Sequence, residues 1–167
     1  MHINISRVSK ITSLLWLLTL SPMTAHAKYT PDQVKAVYLY RIATFVQWEN
    51  EAQMDSINIC VQDNEKVNTI LSKLTQDKLI RNKPLKVVSS DCDVLYISQE
   101  QNLNRIESVP TNTVTIGGME SFTENGGAIE LVEHKGKIRP KVNLDNIKGY
   151  QLSSNFLRVA EVVGGQQ

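Results

Sequence analysis

The chain has 167 residues, of which 41% are hydrophobic, 21% charged and 6% aromatic, and its 18 basic and 17 acidic side chains give a formal charge of +1. That composition is globular and suits one domain, so it excludes collagen-like, low-complexity and wholly disordered chains. There is no basic excess of the kind a nucleic-acid surface needs, and two cysteines with three histidines exclude a multi-cysteine zinc cluster or a disulfide-dense miniprotein.

The first 27 residues read as an export signal. Arg7 and Lys10 form a positive start, Ile11 to Leu20 is an uncharged apolar run, and Ala25-His26-Ala27 is an A-x-A cleavage site. This ten-residue run spans about 15 Å as a helix, roughly half a bilayer core, so no transmembrane anchor is expected. With cleavage after Ala27, the mature chain runs from Lys28 to Gln167, 140 residues with 16 basic and 17 acidic side chains and a net charge of −1. His134 is then the one histidine left. A multi-histidine metal site is excluded, and any Ser-His-Asp or Cys-His site would have to use His134.

The mature chain opens with a helix. Thr30 is a good N-cap, Pro31 fits the first helical position, and Gln33 completes a capping-box spacing. Val34, Tyr38, Ile42 and Phe45 share one face, whereas Val37, Leu39, Tyr40, Val46 and Trp48 lie off it. A helix apolar on more than one side is either fully buried or shared with a partner.

Alternation over Ile57–Val61 predicts a strand, and Lys66 to Leu79 reads as a helix with Val67, Ile70, Leu71 and Leu74 inward. Strands are predicted over 84–88, over the continuous apolar run 93–97, and over 113–116, which ends at Gly117-Gly118. Glu100 to Glu107 and Met119 to Thr123 read as short helical pieces. Ala128–Glu133 and Lys137–Asn143 flank the turn signal Lys135-Gly136, and a helical segment over 154–162 closes the chain. This alternation predicts an α/β fold: one three-layer domain with a mostly parallel sheet flanked by helices and a late antiparallel β-hairpin.

Chemistry is sparse. No nucleophile elbow, zincin, phosphate-loop or dinucleotide motif is present, so no catalytic residue, metal site or cofactor is expected. Gly117-Gly118 stands where a strand hands over at the carboxyl end of the sheet. It is either a tight turn or part of a ligand crevice. His134 is expected to be a solvated residue at a hairpin tip.

Cys60 and Cys92 are 32 positions apart, with no redox spacing, and Asp91 and Asp93 flank Cys92 and disfavour its thiolate. In an oxidising compartment the pair most simply forms one disulfide; two reduced, buried thiols are the alternative. Lys137, Arg139 and Lys141 alternate along a strand and so point to one face. They serve either as edge protection or as a surface for an acidic partner.

Taken in order, these pieces resemble the YfiR family of periplasmic regulators over nearly the whole mature chain. The resemblance rests on Val34–Tyr40 followed by Phe45-Val46-Gln47-Trp48, on Ile57–Val61 with Cys60, and on Cys92–Ser98. It continues in Thr115-Ile116-Gly117 through Phe122, Gly126–Ile129, Val142-Asn143-Leu144, Leu152-Ser153-Ser154 and Leu157–Ala160. It implies a regulator that binds the periplasmic region of a membrane-bound diguanylate cyclase and holds that enzyme inactive. It also implies a homodimer and a role for disulfides in the fold. Two features depart from the family pattern: two cysteines stand in place of four, and Glu49 rather than proline follows Trp48. Arg139 and Lys141 on the basic strand, with Tyr40 and Trp48 on the first helix, are the expected partner contacts. Neither nucleic acid nor direct membrane insertion is expected. The alternative class is a small-ligand-binding module built on the Gly117-Gly118 crevice.

Overall fold

The computed structural model describes residues 29–135 and 137–165. The export signal, its cleavage site and Gly136 lie outside the described residues.

Helix α1 spans Pro31–Phe45. Its start is the capping box expected from sequence: the Thr30 hydroxyl accepts from the Gln33 amide at 3.2 Å, and the Thr30 amide donates to Gln33 Oε1 at 2.8 Å. The helix stops at Phe45, and Val46–Trp48 continues extended as strand β1. Trp48 therefore belongs to a strand and not to the first helix.

Strand β2 (Ile57–Gln62) leads into α2 (Glu65–Thr75), whose N-cap Asn64 accepts from the Val67 amide at 2.9 Å. The helix is shorter than its sequence periodicity suggests, because Leu79 belongs to β3 (Leu79–Ile80). Arg81 and Asn82, with φ of 48° and 68°, turn β3 directly into β4 (Lys83–Val88). Positive φ at both positions is what a two-residue hairpin loop requires. Next come β5 (Val94–Ile97), a 3-10 segment over Glu100–Ser108 and β6 (Val114–Gly117). The stretch 119–123 expected to be helical forms turns instead. Strands β7 (Ile129–His134) and β8 (Lys137–Asn143) form the expected hairpin, followed by β9 (Tyr150–Leu152). The predicted closing helix is one turn, α3 (Ser154–Leu157), followed by strand β10 (Glu161–Val163).

Eight strands form one sheet in the order β10-β8-β7-β6-β5-β2-β4-β3, and β1 pairs with β9 in a separate antiparallel ribbon. The run β4-β2-β5-β6-β7 is parallel, and β8 joins it antiparallel. Strand β8 is not the sheet edge, because β10 pairs with its last residues in register Glu161–Lys141.

The alternation of each strand sends one set of side chains to each face. Ile57, Ile59, Val94, Tyr96, Val114, Ile116, Ile129 and Leu131 join the main core, together with Ala36, Leu39, Ile42 and Ala43 of α1 and Val67 and Leu71 of α2. On the other face, Cys60, Leu95, Ile97 and Phe122 are covered by Leu103, Ile106 and Val109.

Helix α1 packs against both α2 and α3. Phe45 stacks on Phe156 with centroids 5.9 Å apart, and the Tyr38 hydroxyl donates to the Ile138 carbonyl at 3.0 Å. Neighbours on several sides explain why the helix is apolar on several sides. Val37, 45% exposed, is its one large apolar side chain open to solvent.

Candidate functional site

Cys60 and Cys92 form the disulfide, with Cα atoms 5.6 Å apart. It ties β2 to the segment entering β5 and lies in the second-face cluster beside Val88, Ile106 and Met119. The surrounding backbone is pinned as well. Asp93 Oδ2 accepts from the Asn58 amide at 2.8 Å, and the Thr113 hydroxyl donates to the Cys92 carbonyl at 3.0 Å. Burial pushes the Asp93 carboxyl above its ordinary range, and the Asn58 N–H partly offsets that.

The Gly117-Gly118 step is occupied by neighbouring aromatic side chains. A Cβ placed on Gly117 would lie 2.1 Å from the Phe122 ring, and one on Gly118 would lie 2.2 Å from the Tyr96 hydroxyl. The two glycines admit those side chains at the carboxyl end of β6.

Lys137, Arg139 and Lys141 do share one face of β8, opposite His134, Val132 and Glu130. Lys141 is tied to Glu124 by a 2.9 Å ion pair. That hydrogen bond raises the lysine and lowers the carboxyl. Glu130 is buried beneath the row, its carboxylate accepting from the Thr123 amide and hydroxyl, both at 3.3 Å. Lys137 and Arg139 are exposed and, among the described residues, make no ion pair. His134 is exposed as expected, at the end of β7.

The four expected contact residues do not converge. Ile138 and Val142 face the main core, so Arg139 and Lys141 face away from α1. Tyr40 is half-buried on α1, with the Arg41 guanidinium 5.9 Å from its ring centre. Trp48 is only 4% exposed, and its indole N–H donates to the Asn112 carbonyl at 3.2 Å. Trp48 is therefore corrected from a surface contact to a core residue.

Two features have no signal in the sequence pattern. One is a cleft of about 230 Å3 over β6, with Thr113 and Thr115 among its lining and Ile106, Val109, Asn146 and Lys148 around them. Its walls come from segments some forty positions apart. The other is Arg81, which reaches from the β3–β4 loop to the end of α1. Among the described residues no group of three or more His, Cys, Asp or Glu could hold a metal ion. No helix among them is long and apolar enough to cross a membrane.

These features define a disulfide-linked α/β domain with a cationic strand face and a small cleft. The model of the YfiR/HmsC-like family, a domain of unknown function, matches residues 32–161, and the chain belongs to that family. Among solved structures, the chain is similar to a conserved domain protein from Vibrio cholerae O1 biovar El Tor strain N16961. That match has 14% identity and a TM-score of 0.45, and it covers 79% of this chain and 60% of the other. The chain thus spans about 60% of that protein's length. No curated protein matches the chain.

Proposed function

We propose that this protein is a non-catalytic periplasmic regulator. It binds and restrains a membrane sensor protein, a diguanylate cyclase, and thereby lowers cyclic-di-GMP signalling and biofilm formation. Family membership over residues 32–161 carries this reading. The export signal and the Cys60–Cys92 disulfide support an oxidising compartment.

The mechanism is population shift. The regulator binds the inactive form of the sensor more tightly than the active form, and its removal frees the enzyme. It acts as a homodimer. The exposed cations Arg139 and Lys137 are the first candidates for contact with an acidic partner surface; Lys141 already shares its charge with Glu124. Deleting the gene and measuring cyclic-di-GMP tests this function. A rise is expected, and an unchanged level overturns it.

The second reading is a small-ligand-binding module. The cleft of about 230 Å3 beside Thr113 and Thr115 favours it. A thermal-shift screen of periplasmic metabolites that finds a micromolar ligand would promote this reading over the first.

A further inference from the structure

The turns between β6 and β7 carry the chain's one Asn-Gly step, Asn125-Gly126; every other asparagine is followed by a larger residue. Both residues of the step are exposed. Gly126 has φ of 90°, and a Cβ built on it would meet nothing within 4 Å. Among the described residues the Gly126 N–H makes no backbone hydrogen bond. The Asn125 side chain is held by one bond, its Nδ2 donating to the Ser121 carbonyl at 2.7 Å. The frame on either side is fixed: the Asn125 amide donates to the same carbonyl at 3.1 Å, and the Gly127 amide donates to the Phe122 carbonyl at 3.0 Å. Phe122 itself is fully buried.

We propose that Asn125 is a self-modification site, converted to aspartate and isoaspartate by attack of the Gly126 backbone nitrogen on its side-chain amide carbon. In the first step the bond from that nitrogen to Cγ forms and the Cγ–Nδ2 bond breaks. Ammonia leaves with the proton of the Gly126 nitrogen, and a five-membered succinimide remains. One water then opens the ring. Attack at Cγ gives aspartate, and attack at the main-chain carbonyl carbon gives isoaspartate, with the chain now running through Cγ. The net change is amide plus water to carboxylate plus ammonium, with no oxidant, metal or enzyme required. A β-carbon on residue 126 would crowd the nitrogen's approach, and glycine has none. The attacking nitrogen must lose its proton, so the rate rises with pH.

The product changes the surface next to the cationic strand. Glu124, the residue before Asn125, holds Lys141 in an ion pair. A new carboxylate at position 125 stands beside that pair and adds one negative charge to this side of the domain. Isoaspartate also lengthens the main chain by one carbon in the turn that seats Phe122. The bearing of the new charge on a partner rests on the reading of Lys137 and Arg139 as partner contacts; the modification itself does not.

The test incubates the purified exported protein in mildly alkaline buffer made with heavy-oxygen water, then reads the tryptic peptide Ile106–Lys135 by mass spectrometry. That peptide holds Asn112, which precedes Thr113, as an internal control. Asn125 should be converted with one heavy oxygen retained, in two products separable by chromatography, while Asn112 stays intact. The folded chain should react no more than about tenfold slower than the urea-unfolded chain, since one exposed hydrogen bond has to open. Asn125→Gln should abolish the change, because its longer side chain would have to close a larger ring. No conversion in the folded protein while the unfolded chain converts fully overturns the proposal. So does conversion of Asn112 at the same rate, or conversion that yields aspartate alone. None of these readouts involves a partner, so a failure of the partner reading leaves them standing.

Discussion

Arg81 grips Glu51 with two nitrogens, Nε at 2.6 Å from Oε1 and Nη2 at 2.9 Å from Oε2. The same guanidinium donates to the carbonyls of Thr44 at 3.3 Å and Val46 at 2.8 Å. Helix α1 has no basic residue in its own last turn, so a hairpin loop supplies the cation that its carbonyl end attracts. Arg81→Lys keeps the charge but loses the planar fork. It should lower stability by about 1 kcal/mol, a figure discounted for the exposure of the pair, as read from the denaturant midpoint.

The same pair sets an acid dependence. The Arg81 hydrogen bond holds the Glu51 carboxyl below its ordinary value, more than burial raises it. A depressed folded pKa contributes stability that is present above the unfolded value and is lost as pH falls through the folded one. Between pH 5 and pH 3, wild type should lose more stability than Glu51→Gln. Parallel losses in the two melts would remove Glu51 from the account.

Reduction of Cys60–Cys92 opens a loop spanning 32 positions. The chain-entropy model gives a loss of roughly 3–4 kcal/mol. Urea titrations with and without reductant should show that drop, and C60S/C92S should be insensitive to reductant.

Gly117→Ala drives a methyl group into the Phe122 ring. A loss of about 1–3 kcal/mol is expected from overpacking. Phe122→Leu in the same chain should recover part of it. A Gly117→Ala protein that melts like wild type would mean that the loop carrying Phe122 gives way freely.

The Tyr150 hydroxyl is buried and has no hydrogen-bond partner among the described residues, and burial pushes its phenol far above the usual range. Leaving such a donor unpaired is costly. Tyr150→Phe should therefore keep or raise the melting temperature, whereas Trp48→Phe, which removes the bond to Asn112, should lower it by an amount corresponding to about 1 kcal/mol.

What could be read from sequence follows the range of the interactions involved. The α1 cap was legible because Thr30 and Gln33 lie three positions apart. The inner strands were legible because burial on both faces leaves continuous apolar runs such as Val94–Ile97. The disulfide followed from compartment and count. The end of α1 was not legible, since Val46–Trp48 continues the apolar pattern and becomes a strand only because residues 150–152 lie beside it. Strand β10 was missed for the same reason: Glu161–Val163 is extended by pairing with residues of β8 that lie 20 positions earlier in sequence. The contact site was legible only as single residues. Periodicity put Arg139 and Lys141 on one face, but which face looks away from α1 depends on the whole sheet.

The ribbon between β1 and β9 and the Phe45–Phe156 stack join the beginning of the described chain to its end. The Ser153 amide also donates to the Phe45 carbonyl at 2.9 Å. For a chain synthesised amino end first, this sets an order of assembly. Helix α1 emerges earliest, yet it has no complete seat until residues 150–156 have followed. Long-range contacts of this kind slow folding and leave apolar surface exposed in the meantime. During that interval α1 presents apolar side chains such as Phe45 without the cover that residues 150–156 later supply.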